Sequence, residues 1–90
     1  MIDFRKITVR DINGDPQERE LEYKKFADYM YFSANAIDHL EIAREINKNG
    51  FMECDTEKAS IIKQYSDQYF KAFVLESLNI LLDEIINPKK

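Results

Sequence analysis

The stretch from Phe70 to Ile86 limits the folds open to this chain more than any other. With successive helical residues about 100° apart, Phe70, Val74, Leu75, Leu78, Leu81, Leu82, Ile85 and Ile86 span roughly 160°. Phe73 and Ile80 fall together on another side, beyond Ser77 and Glu84. A helix apolar on two sides needs two coverings. Either it is the central helix, flanked by a hairpin and other helices, or its second stripe meets another subunit. A chain of 90 residues buries only about 60% of the surface it exposes when unfolded, so few elements are free to cover one helix twice.

The preceding residues supply those elements. Ile7 and Val9 alternate with Lys6, Thr8 and Arg10, a period-two pattern that predicts a strand. Asp11-Ile12-Asn13-Gly14-Asp15-Pro16 then concentrates turn chemistry. Beyond it, Glu18, Glu20 and Glu22 alternate with Arg19, Leu21 and Tyr23, which favours a hairpin with strands near 4–10 and 17–23. The competing reading is a helix starting at Asp15-Pro16 with Glu18 at its third position.

From Tyr23 the period becomes helical. Tyr23, Phe26, Ala27, Met30, Tyr31 and Ala34 form one stripe, predicting a first helix over about 24–33. Leu40, Ala43 and Ile46 predict the apolar side of a second helix that ends at Asn49-Gly50, because Gly accepts the left-handed position after a helix. Phe51–Cys54 reads as a connector or short strand. Asp55 is the predicted N-cap of a third helix bearing Ala59, Ile62, Tyr65 and Tyr69, with a kink or new cap near Ser66-Asp67. The last helix is expected to stop before Asn87-Pro88. The expectation is therefore a helix-dominated α+β fold, a two-stranded hairpin on three or four helices. It forms a single domain over 1–90: a hairpin (1–23), two helices (24–49), a connector (50–55) and the last helices (56–87).

Charge bears on partners. The net charge is −4, and all of the acidic excess lies in residues 26–55. That sign is wrong for holding nucleic acid by phosphate neutralisation. Asp3, Arg5 and Lys6 interrupt any apolar leader, and the apolar runs fall far short of the roughly 20 residues that span a bilayer. No membrane association is expected, and a single cysteine points to a reducing compartment, the cytoplasm.

Candidate chemistry is sparse. Cys54 has no Cys-x-x-Cys partner, and its expected role is a small apolar side chain, the alternative being a thiol activated by the start of the third helix. His39 beside Asp38 and Glu41 lacks the two-His spacing of a zinc helix. Asp38, Glu41 and Glu45 share a face that a hard cation could use with further oxygens, but a solvated face with Glu41–Arg44 and Glu45–Lys48 pairs is the plainer expectation. No phosphate-cradling glycine motif occurs, and no cofactor or catalytic set is expected. Five of the eleven aromatics are Tyr, and Tyr23, Tyr29, Tyr31 and Phe32 cluster on and around the first helix, where a protein surface suits them.

Phe4–Gly14, Leu40–Ile46, Asn49-Gly50 and the apolar last helix together resemble a loose group of small proteins encoded in bacterial prophages and mobile elements. The resemblance implies a short hairpin followed by three or four helices, and it supplies no catalytic residues. The functional expectation is a non-enzymatic interaction or regulatory module. Phe73, Ile80, Tyr29 and Phe32 are its candidate interface residues, and Asp28, Asp38, Glu41 and Glu45 a candidate acidic contact for an unidentified protein partner. Self-association as a symmetric homodimer through the last helix is expected. The alternative is a DNA-binding regulator using Arg44, Lys48, Lys58 and Lys63 of the second and third helices.

Overall fold

The computed structural model describes residues 1–87, and residues 88–90 of the expected domain lie outside that range. The order is β1 (Ile2–Asp3), β2 (Ile7–Arg10), β3 (Pro16–Arg19), α1 (Tyr23–Ser33), α2 (Ile37–Asn49), β4 (Phe51–Met52), α3 (Thr56–Tyr69) and α4 (Ala72–Ile86). This is the expected α+β architecture, an N-terminal hairpin with four helices.

The hairpin forms because its turn is satisfied locally. The Asp11 carboxylate accepts from the backbone N–H groups of Asn13 and Asp15, and Gly14 takes the left-handed conformation (φ +84°) that a three-residue loop of this kind requires. The helix start at Asp15-Pro16 does not form. The strands pair Ile7 with Arg19 and Val9 with Gln17, so they are shorter than the predicted 4–10 and 17–23. Phe4 and Leu21 leave the ladder but stay joined, Leu21 N–H donating to Phe4 O at 2.8 Å, and Tyr23 begins α1 instead of ending a strand. Ile7 and Val9 are buried, and β2 lies on α4, the floor that an isolated hairpin needs. β3 is an edge strand with every residue exposed; its leading Pro16 and the charges of Glu18 and Arg19 blunt it against further pairing.

The helices pack as two pairs, α1 on α2 and α3 on α4, with α1 also touching α3. Their termini follow the predicted chemistry in part. Gly50 ends α2 at φ +76°, its N–H bonding Ile46 O at 2.8 Å. Asp55 caps α3, its carboxylate accepting from Lys58 N–H at 2.8 Å. Asp55→Ala is expected to cost about 1 kcal/mol, read as a drop in thermal midpoint of about 4–8 °C by circular dichroism.

Several boundaries differ from expectation. α3 runs unbroken through Ser66-Asp67, because the buried Ser66 hydroxyl is satisfied within the helix by Lys63 O. The break comes at Phe70, whose ring packs on Phe26 at 4.9 Å between centroids while its backbone turns extended, so α4 starts at Ala72 rather than Phe70. In α2 the buried residues are Ile42, Ala43 and Ile46, and Leu40 is only half-buried. The helix is covered on two flanks, by α1 and by β4, which rotates its buried arc. The connector does contain a strand: β4 pairs with β1, Ile2 opposite Met52. Arg5 clamps that corner, donating to both Asp3 carboxylate oxygens at 3.0 Å with its guanidinium 4.5 Å from the Phe51 ring centre, and the bond to Arg5 lowers the Asp3 pKa.

Candidate functional site

α4 buries Val74, Leu78 and Leu82 against the hairpin and α3. The second apolar stripe has no cover: Phe73 is 45% exposed and Ile80 57%. Leu81, expected on the inward arc, is 38% exposed because the buried arc is narrower than the apolar one. Beside Phe73 runs a groove of about 580 Å³ between the β3–α1 connection and the α3–α4 junction. Leu21, Tyr69, Phe70 and Val74 line it, and Arg19, Glu20, Glu22 and Lys71 stand around them. A projecting apolar ridge and an apolar groove thus adjoin on one face.

The acidic candidates divide between two places. Asp38, Glu41 and Glu45 come together with Asp55 and Glu57 of the α3 start along a cleft of about 240 Å³, which Ile42, Met52 and Ile61 also line. Lys58 is the one base in that lining. Asp28 is elsewhere, in a shallow depression between α1 and α2 with Tyr31, Phe32 and Arg44. The expected Glu41–Arg44 and Glu45–Lys48 ion pairs do not form among the described residues. Arg44 turns instead to Tyr31, its guanidinium 5.3 Å from the ring centre and bonded to the hydroxyl at 3.2 Å. Among the described residues no three His, Cys, Asp or Glu side chains converge as metal ligands do, so the cleft is an open acidic wall.

The aromatic candidates also separate. Phe32 is 83% exposed, its ring edge-on to Tyr31 at 5.2 Å between centroids. Tyr29 is not a free contact: it packs on Tyr69 at 5.2 Å and Tyr65 at 6.5 Å, and its hydroxyl donates to Gln68 at 3.0 Å, tying α1 to α3. Tyr65 in turn bonds His39 Nδ1 at 2.8 Å, so the single histidine holds the start of α2 to α3. Cys54 is half-buried, 3.8 Å from Met52 O, and burial raises its thiol pKa, the opposite of activation. Three of the four bases of the DNA-binding alternative are engaged in separate places. Lys63 bonds Asp83 at 2.6 Å, which raises its pKa, while Arg44 lies on Tyr31 and Lys58 stands among carboxylates.

No family model, curated protein or solved structure matches the chain. Among the described residues, no helix is long and apolar enough to cross a membrane.

Proposed function

We propose that this chain is a small non-enzymatic interaction module, a cytoplasmic regulator of the kind that prophages and mobile elements carry, working as a homodimer built on the outer face of α4. The observation that carries this reading is the exposed stripe of Phe73 and Ile80, with an apolar groove beside Phe73. Scattered exposed apolar residues are ordinary on a protein surface, but a ridge continuous with a groove is the form of a contact. Each large side chain left in water forgoes about 1.5–3 kcal/mol of burial that a partner would restore. The acidic cleft of α2 and α3 stays open in such a dimer for a second, basic protein partner.

Sedimentation and circular dichroism test the dimer. The wild-type chain is expected to sediment as a dimer at about 100 µM, well above the micromolar Kd of a specific contact. Because Phe73 and Ile80 are exposed, the double variant Phe73→Glu/Ile80→Glu is expected to keep its helical spectrum and sediment as a monomer. A wild type that stays monomeric at that concentration refutes the homodimer. A salt-dependent shift of duplex DNA would favour the DNA-binding alternative instead.

A further inference from the structure

We infer that two copies of α4 pair antiparallel, crossing at Ser77, so that Glu84 of each chain lies against the N-terminal end of the other copy's α4. The inference rests on the proposed use of α4 as the self-association face and adds the orientation and the charges that set it.

Both ends of α4 carry the wrong charge for an isolated helix. Its N-cap is Lys71, with no side-chain cap and no acid in the first turn, while its last turn contains Asp83 and Glu84 and no base. A helix N-terminus favours negative charge and a C-terminus positive charge. At its N-terminus α3 obeys this rule, with Asp55 as cap and Glu57 in its first turn, whereas its last turn, like that of α4, holds no base. Asp83 is neutralised by Lys63 at 2.6 Å, but exposed Glu84 has no ion-pair partner among the described residues.

The outer stripe places this acid where an antiparallel copy needs it. Phe73, Ser77, Ile80 and Glu84 are spaced 4, 3 and 4 residues apart, one seam along the helix. Ser77, small and central, allows the closest approach. A two-fold axis there sets Phe73 against the second copy's Ile80, and self-complementary contact about such an axis closes a dimer. At about 1.5 Å per residue, Glu84 lies about 10 Å from Ser77 along the helix and Lys71 about 9 Å on the other side, so reversal of direction brings the two level. A parallel pair would instead align acid with acid at one end and Lys71 with Lys71 at the other.

The available surface suffices only if the groove takes part. A specific dimer buries about 800 Å² per chain, against a total accessible surface of 6066 Å². A helix of 15 residues is only about 22 Å long, too narrow a ridge alone, and the groove beside Phe73 widens it. The groove carries as many acids as bases, Glu20 and Glu22 with Arg19 and Lys71, so it has no net charge of its own and the meeting of Glu84 with the Lys71 end of α4 selects the orientation.

The test uses the full chain. Glu84→Lys is expected to weaken self-association roughly tenfold in sedimentation equilibrium, and adding Lys71→Glu is expected to restore most of it, since reversed partners face each other again. In a Cys54→Ala background, the Ser77→Cys chain is expected to form a disulfide-linked dimer on mild oxidation, because facing residues at a two-fold lie within bridging distance. Unchanged or tighter association of the Glu84→Lys chain, or failure of the second change to restore it, overturns the antiparallel arrangement while the homodimer stands. A Ser77→Cys chain that sediments as a dimer without crosslinking overturns the crossing point. A monomeric wild type removes the parent reading and this inference together.

Discussion

Phe26→Ala is expected to destabilise the fold by about 3–5 kcal/mol, most of the margin of a domain this size. Phe26 is fully buried, and its ring meets Phe4 at 5.7 Å, Tyr69 at 5.6 Å and Phe70 at 4.9 Å between centroids. Phe4 comes from the β1–β2 link and Tyr69 and Phe70 from the α3–α4 corner, so this one side chain of α1 joins two parts distant in sequence. Truncation removes the buried area and leaves a cavity that rings held by separate backbones cannot all collapse into. Urea titration followed by circular dichroism checks this through the midpoint, with Phe32→Ala, whose ring is 83% exposed, expected near neutral. A loss below about 1 kcal/mol at Phe26 would show that the aromatic cluster is not the junction described.

Gly50→Ala is the second large effect, expected at about 2–4 kcal/mol. Two costs coincide there. The residue holds φ +76°, and an added Cβ would lie 2.9 Å from Arg5 Cγ and 3.0 Å from Tyr23 Cζ. Arg5 cannot move freely, because it is fastened to Asp3 and stacked on Phe51, and Gly50 O receives the Phe4 N–H at 2.8 Å. Gly14→Ala separates the two terms. Its φ is +84° with nothing within 4 Å of the added Cβ, so only the backbone cost of about 1–2 kcal/mol is expected. Equal losses at the two sites in matched thermal melts would show that the Arg5–Tyr23 contact yields without cost.

The candidate surfaces were legible to different degrees. Phe73 and Ile80 stand out in the sequence because their spacing puts them off the main apolar arc, and they are exposed in the fold. Whether α4 was covered once or twice was not readable, since that depends on where the hairpin lies. The groove beside Phe73 left no signal: Leu21, Tyr69 and Val74 come from three elements, and only their packing makes a concavity. Asp38, Glu41 and Glu45 were visible as a helix face, but Asp55 and Glu57 joined them only when α3 docked beside α2. Tyr29 looked like spare surface because its partners Gln68 and Tyr69 lie far along the chain.

Local chemistry determined what could be settled within a few residues. The Asn13-Gly14 turn, the Gly50 stop, the Asp55 cap and the helical stripes from Tyr23 onward each depend on backbone sterics or hydrogen bonds between near neighbours, so residue types at short spacing specify them. Tertiary packing decided the rest. The pairing of Ile2 with Met52, the burial of Ile42 ahead of Leu40 and the break at Phe70 follow from contacts between segments distant in sequence. Such contacts gain their energy from excluding water between surfaces that meet only in the folded chain, and no periodicity within one segment encodes which surface it will meet.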